Sequence, residues 1–141
     1  MKIIVAGGGR TGSQVARALV AHGHQVIVVE ADHGRAPARV AEGLDVVSGN
    51  ASVPTTLEAA GALVADVLVA CTDRDEENLV ISVLAKQRHQ IPKVIARIND
   101  DANLWLFDDF RGRRRHLVGA RARRPRRAAS PLNVHRSRGT Q

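Results

Sequence analysis

The chain has 141 residues, which is the length of about one domain. Its single cysteine excludes a disulfide framework within the chain, and no apolar run reaches the ~18 residues that a membrane helix needs. The net charge of +7 is unevenly divided: residues 1–110 carry 10 Lys and Arg against all 14 Asp and Glu, and residues 111–141 carry 11 Arg and no acid. The chain therefore divides into a mildly acidic domain, 1–110, and a basic tail, 111–141.

Short β-branched runs alternate with segments of helical periodicity throughout the domain. The pattern predicts strands at residues 2–6, 25–30, 45–48, 66–71 and 93–97. It predicts helices at residues 11–21, 35–41, 53–60, 74–86 and 100–109. We expect the last three helices to be capped by Ser52, Asp73 and Asn99. The alternation predicts an α/β fold, with a Rossmann-like, doubly wound parallel sheet in the order 3-2-1-4-5.

A glycine-rich segment lies between the first predicted strand and the first predicted helix. Gly7, Gly9 and Gly12 satisfy the pattern G-x-G-x-x-G. Gly7 permits a tight turn, Gly9 lets a pyrophosphate approach the backbone, and Gly12 lets the helix pack close to the strand. The phosphates would bind the free N–H groups at the start of the helix. The segment favours nucleotide binding; the alternative is a purely structural turn.

An acidic residue follows at the spacing that this motif requires. Glu30 ends the second predicted strand, 18 residues after Gly12, where an acid binds the ribose 2′-hydroxyl. A carboxylate about 4 Å from a 2′-phosphate would be repelled by about 4 kcal/mol at an effective dielectric near 20. The sequence therefore favours NAD(H), or an adenine mononucleotide with a free 2′-hydroxyl, over NADP. Asp32 either adds to this effect or is an exposed turn acid.

Further candidates follow the later strands, at the carboxyl edge where open α/β sheets bind ligands. Asn50 and Ala51 are placed to flank an adenine, and Thr72 follows the fourth strand. Arg97 ends the fifth strand, where it contacts either a phosphate, an acid of a partner, or an ordinary ion-pair partner. Cys71 is interpreted as a small core residue. No catalytic residue and no metal site are predicted.

Residues 1–109 resemble the nucleotide-binding module of the TrkA/KTN (RCK) family, regulators of bacterial potassium uptake. The matching stretches are MKIIVAGGGRTGSQVARAL, VIVVEAD, VLVACTDRDEENLVISVLAK and KVIARINDDANLWLF. The resemblance implies a fold without catalysis that binds NAD(H) or ATP/ADP and assembles with like subunits. It also implies a cytoplasmic location at the inner face of the membrane and a potassium channel or transporter subunit of the TrkH or KtrB type as partner. By resemblance, the ligand site is lined by Gly7, Gly9, Arg10, Thr11, Gly12, Glu30, Asp32, Thr72 and Arg97. Asn50 stands where the family usually has an acid.

The tail departs from the family pattern. Members continue with a sixth strand and a helix that clasps a second subunit, whereas residues 111–141 have little apolar periodicity and no acid. We therefore expect a disordered tail, a missing sixth strand, an unpaired edge on the fifth strand and a weakened homo-oligomer. A frameshift is one explanation, because GC-rich codons can be chosen for this arginine-rich part of the tail that encode AVDVAISSAHALAALV when they are translated one nucleotide later.

Two other function classes remain open. The tail could be a basic arm that binds anionic lipid or, without sequence specificity, nucleic acid, because it has many arginines and almost no aromatic residues for base stacking. The domain could instead be a fragment of an NAD-dependent oxidoreductase. That class would need a substrate domain, for which the length leaves no room, or a catalytic acid or base.

Overall fold

The structure is a computed structural model that describes residues 1–108 and the backbone of residues 132–136. The strands are β1 Lys2–Ala6, β2 Gln25–Glu30, β3 Asp45–Ser48, β4 Val67–Ala70, β5 Lys93–Ile98 and β6 Leu132–Arg136. The helices are α1 Arg10–Ala21, α2 Ala36–Ala41, α3 Pro54–Ala59, α4 Asp75–Val83 and α5 Leu104–Asp108. A π-helical segment, Leu84–Arg88, continues α4, and short 3₁₀ turns follow α3 and precede α5. None of these helices is long and apolar enough to cross a membrane.

The strands form one parallel sheet in the order β3-β2-β1-β4-β5-β6. The predicted order 3-2-1-4-5 is therefore confirmed for the first five strands. The central strand β1 pairs on both sides, and its Ile4 is in register with Ile27 of β2 and Leu68 of β4. The chain crosses from β3 to β4, so the winding reverses beside β1. This reversal opens a crevice at the carboxyl edge of the sheet.

The predicted absence of a sixth strand is wrong. Residues Leu132–Arg136 lie parallel to β5, with Ile95 in register with Asn133. The edge of β5 is therefore paired, and residues 132–136 are a strand and not disordered. The short strand was missed because it lies in an arginine-rich segment without a clear strand pattern. Its hydrogen-bond partners are in β5, so they are available only after β5 has formed. The rest of the tail, including the segment that motivates the frameshift hypothesis, lies outside the described residues.

Each face of the sheet is covered by its own apolar cluster. Leu57 of α3, Ile81 of α4 and Phe107 of α5 are fully buried against one face. Ala16 of α1 packs on the other face, in a cluster that also contains Cys71, which confirms the interpretation of Cys71 as a core residue.

Trp105 behaves differently from its neighbour. Of the two aromatic residues of α5, Phe107 is fully buried against the sheet whereas Trp105 is 60% exposed. The two residues are too close in sequence to share the buried face of a single short helix.

The predicted helix caps are also wrong. Neither α3 nor α4 has a side-chain cap, and the cap found before α5 is Asp100, which accepts a hydrogen bond from the backbone N–H of Ala102. Asn99 instead donates to Asp75, which is distant in sequence. The preference for a local cap was overridden by a tertiary partner.

Candidate functional site

A cleft of about 470 Å³ opens at the carboxyl edge of the sheet, where the strand order reverses. Its walls are the loops that follow β1, β2, β3 and β4, together with the carboxyl end of β5 and one side of α4. The residues predicted from sequence that line it are Gly7, Gly9, Arg10, Thr11, Glu30, Asp32, Asn50, Ala51, Thr72 and Arg97. The fold thus brings together residues that are up to 90 positions apart in sequence.

Gly12 is the predicted residue that does not line the cleft. A Cβ atom at Gly12 would lie 1.8 Å from the carbonyl oxygen of Gly7, so α1 touches the glycine turn directly at this position. Gly7 itself has φ +115°, and a Cβ there would lie 2.8 Å from the carbonyl oxygen of Cys71. Both glycines are therefore required by the close backbone packing that forms one wall of the cleft.

The start of α1 presents free backbone donors to this wall. Gly9 is the N-cap residue, with φ −71° and ψ −165°, and it has no side chain to cap the helix. The first turn carries no acidic residue that would offset the positive end of the helix dipole. The N–H groups of Arg10 and Thr11, which both line the cleft, have no acceptor within the helix. This arrangement suits an anionic group such as a phosphate.

Glu30 lies at the end of β2 and is only 4% exposed. One oxygen, Oε1, accepts a hydrogen bond from the Gly8 N–H at 2.9 Å, and Oε2 accepts one from the Asp32 N–H at 2.7 Å. These bonds fix the orientation of the carboxylate, and each oxygen retains a further lone pair that can accept a hydrogen bond from a hydroxyl group. Glu30 therefore combines two functions, since it supports the glycine turn and faces the cleft.

Arg35 is a cleft residue that the sequence argument missed. Its guanidinium lies 3.9 Å from Glu30 Oε1 and 3.8 Å from Asp32 Oδ2. The side chain is half exposed, so these ion pairs are screened by solvent. A basic residue five positions after a strand-ending acid was the available signal.

Asn78 joins the loop after β4 to the carboxyl end of β5 and was also missed. It is fully buried, and its Nδ2 donates to the backbone carbonyls of Thr72 and Arg97, both at 3.0 Å. Its Oδ1 accepts from the N–H and the hydroxyl of Thr72. A polar residue on the buried face of a predicted helix was the signal that could have found it.

Cys71 and Arg97 meet at the base of the cleft. Burial raises the pKa of the Cys71 thiol, and the charge and hydrogen bond of Arg97 only partly oppose this. The thiol is therefore protonated at neutral pH and is a poor nucleophile. Arg97 Nε is buried and has no hydrogen-bond partner within the described residues. Its guanidinium retains donor capacity toward a ligand in the cleft.

Asp75 organises the loop behind this part of the cleft. It accepts hydrogen bonds from the N–H groups of Asn99 and Asp100 and from the side chains of Asn99 and Asn103, at 2.6–3.0 Å. Burial raises the pKa of Asp75, but the bonds from Asn103, Asn99 and Asp100 outweigh it and lower that pKa below 3.8. Asp75 is thus a structural anion, and the described residues contain no group of acids, histidines or cysteines that could hold a metal ion.

Comparison with known proteins decides the family. The profile of the TrkA-N domain matches residues 3–112, which is most of the chain. The chain belongs to the TrkA-N domain family. The resemblance found in the sequence is thereby confirmed.

Relatives of this TrkA-N domain include the Trk system potassium uptake protein TrkA of Mycobacterium tuberculosis (strain CDC 1551 / Oshkosh). The two are 38% identical over 112 residues, which are 79% of this chain and 51% of that protein. The chain thus spans about half the length of this relative.

Two solved structures share the fold. Kef CTD of Shewanella denitrificans, in its AMP-bound form, is 25% identical with a TM-score of 0.62, over 86% of this chain and 84% of that one. The GsuK channel bound to NAD is 21% identical with a TM-score of 0.63, over 74% of this chain and 19% of that one.

Proposed function

We propose that this TrkA-N domain binds NAD(H), or alternatively ADP or ATP, as a regulatory subunit of a membrane potassium uptake system. The observation that carries the proposal is the cleft itself. It joins the uncapped start of α1 and the buried carboxylate of Glu30, which are the donors for phosphates and the acceptor for a ribose. The AMP-bound form of Kef CTD and the NAD-bound GsuK channel support an adenine nucleotide as the ligand.

Each part of the nucleotide has a corresponding wall. The phosphates bind the N–H groups of Arg10 and Thr11 at the positive end of the helix dipole. The ribose hydroxyls donate to Glu30, with Asp32 beside it. The adenine lies against Asn50 and Ala51, which follow β3 and line the same cleft.

Glu30 also bears on the choice of dinucleotide. A 2′-phosphate would meet a carboxylate that is already fixed by two backbone N–H groups and cannot turn away. Arg35 offsets part of the repulsion, because its guanidinium lies 3.9 Å from Glu30. We therefore expect NADH to bind more tightly than NADPH, with Arg35 reducing the difference.

The site supplies binding and no chemistry. Cys71, the one nucleophilic thiol, is protonated at neutral pH because burial raises its pKa. The nucleotide would act by linkage, since it shifts two arrangements of the protein only through its different affinity for each. Opening of the transporter, of the TrkH or KtrB type, must then change the affinity for the nucleotide by the same factor. The resemblance to this family supports a role in the cytoplasm, at the inner face of the membrane.

The nucleotide part is tested by isothermal titration of the full chain with NADH, NADPH, ADP and ATP. Gly9→Asp should abolish binding, because it adds a negative charge at the start of α1. Gln25→Glu is the matched control, since it adds the same charge at the exposed amino end of β2. Failure of the unmodified chain to bind any of the four ligands, or normal binding by Gly9→Asp, would overturn the proposal.

The transport part needs a separate measurement. Potassium uptake is measured in vesicles that contain a Trk-type membrane subunit, with and without the chain and NADH. We expect the chain to change the uptake rate in a nucleotide-dependent way, and Gly9→Asp to remove that dependence. An unchanged rate would overturn the transport role and leave nucleotide binding standing.

A further inference from the structure

Arg39 on α2 reaches the glycine-rich turn from outside the cleft. Its Nε donates a hydrogen bond to the carbonyl oxygen of Gly8 at 2.7 Å, and its side chain is only 18% exposed. Its Nη1 donates to Glu42 at 2.6 Å, and Glu42 also accepts a bond from Arg17 of α1 at 2.5 Å. Arg39 is thus anchored between α2 and the turn.

The Gly8–Gly9 peptide is consequently held in one orientation. The Gly8 N–H donates to Glu30 and the Gly8 carbonyl accepts from Arg39, so Gly8 is held at both of its polar groups. This peptide is trans, so the Gly9 N–H points opposite to the Gly8 carbonyl. Gly9 lines the cleft, whereas Gly8 and Arg39 do not.

We propose that Arg39 is a positioning residue that keeps the Gly9 N–H directed into the cleft, where it donates to a phosphate of the nucleotide. The proposal rests on the proposed nucleotide function. A peptide between two glycines rotates with little steric resistance, and its flipped form would turn the Gly8 carbonyl oxygen toward the phosphate. That oxygen would repel the anion and leave it without a donor.

The role requires a guanidinium. Nε and Nη1 serve two acceptors, Gly8 and Glu42, at fixed relative positions, which one planar fork can satisfy and a single ammonium cannot. Arg39→Lys should therefore retain only part of the ADP affinity that Arg39→Met loses.

The test compares two arginines that share Glu42. Arg39→Met removes the bond to Gly8, whereas Arg17→Met breaks the other ion pair of Glu42 and does not touch the turn. The full-length variants are titrated with ADP and with adenosine, which lacks phosphates. We expect Arg39→Met to raise the dissociation constant of ADP about tenfold and that of adenosine less than about twofold. We expect Arg17→Met to change neither dissociation constant by more than about twofold. Equal losses for ADP and adenosine, or equal losses in the two variants, would overturn the proposal.

A second readout does not depend on ligand binding. In the ligand-free protein, the ¹H–¹⁵N resonance of the Gly9 amide should move in Arg39→Met and stay in place in Arg17→Met. An unmoved Gly9 resonance would refute the orientation of the peptide even if ADP binds. If the unmodified chain binds NADH but not ADP, NADH replaces ADP in the titrations. If it binds none of NADH, NADPH, ADP and ATP, the nucleotide function and the phosphate role are refuted together, and the resonance still decides the orienting role.

Discussion

The side chain of Asn78 forms three hydrogen bonds with Thr72. Its Oδ1 accepts from the Thr72 N–H at 2.9 Å and from the hydroxyl at 2.7 Å, and its Nδ2 donates to the Thr72 carbonyl at 3.0 Å. The same Nδ2 donates to the carbonyl of Arg97. A single buried amide therefore holds the loop after β4 and the carboxyl end of β5 together beside the cleft.

Asn78→Leu should lower the free energy of unfolding by about 2–4 kcal/mol, because it removes the hydrogen bonds that the fully buried Asn78 amide forms with Thr72 and with the carbonyl of Arg97. Urea unfolding followed by circular dichroism measures the change. Ser82→Ala is the control, since it removes one buried hydrogen bond in the same helix and should cost about 1 kcal/mol. Equal costs for the two variants would contradict the bridging role of Asn78.

Gly12→Ala should destabilise the protein by about 3 kcal/mol or more, because the new methyl would overlap the backbone oxygen of Gly7, which cannot move aside as a side chain could. The midpoint of thermal unfolding checks this. Gly34→Ala is the matched control, since its Cβ would meet only a side-chain oxygen of Asp32, at 3.1 Å. A Gly12→Ala protein as stable as the control would show that α1 can withdraw from the turn.

Asp75 should make stability depend on pH in the acid range. Its folded pKa lies below 3.8, so the unfolded chain binds the proton more readily. The stabilisation is fully present above pH 3.8 and is lost as the pH falls through the folded value. Asp75→Asn should lose about 1–3 kcal/mol at neutral pH, and its deficit should shrink as the unmodified protein is acidified.

Urea unfolding from about pH 7 down to about pH 3 tests this dependence. Glu76→Gln is the control, because the Glu76–Arg74 ion pair is exposed on both sides and solvent screens it. A deficit for Asp75→Asn that is constant over this range would show that Asp75 does not contribute through its charge.

Glu30→Ala should weaken the binding of NADH by about 1–3 kcal/mol, because it removes the ribose acceptor and the hydrogen-bond partner of the Gly8 N–H. Glu30→Gln keeps the shape of the side chain without its charge. We therefore expect it to lower the ratio of the NADPH dissociation constant to the NADH dissociation constant. Calorimetric titration of both ligands measures the ratio. Arg35→Met should raise this ratio. A ratio that neither substitution changes would mean that this end of the cleft does not contact the ribose.

The sixth strand can be tested with two truncated chains. A chain of residues 1–131 lacks β6 and a chain of residues 1–136 retains it, so the pair differs only in the strand. Loss of the ladder with β5 should cost about 2–4 kcal/mol and leave an open edge that promotes aggregation. Unfolding by urea and light scattering check both effects. Identical behaviour of the two chains would show that β6 adds nothing to the sheet.

Much of the fold was predictable because its signals are local. The bounds of β1, β2 and β3 agree with the sequence pattern, since buried parallel strands appear as short β-branched runs between turn residues. The candidate site was predictable for a similar reason, because Gly7, Gly9 and Glu30 occur at spacings that the βαβ turn dictates.

The parts that sequence reasoning missed depend on contacts between distant residues. Asn78 and Arg39 appeared to be ordinary helix residues until the fold placed each one against a backbone carbonyl of a distant segment. Asn99 was expected to cap a helix and instead donates to Asp75, 24 positions earlier. Local propensity could not rank these partners, because their energies depend on burial that only the packed chain provides.

The contrast between what the sequence determines and what the tertiary structure decides is clearest for the acidic domain and the basic tail. The sequence alone determined that the chain has a parallel α/β domain with a glycine turn and a strand-ending acid, because period and spacing are properties of the chain itself. Only the tertiary structure decided that residues 132–136 complete the sheet and that Gly8 is held between Glu30 and Arg39. A strand at a sheet edge and a peptide in a turn take their partners from elsewhere in the chain, so their conformations are set only once the rest of the molecule has folded around them.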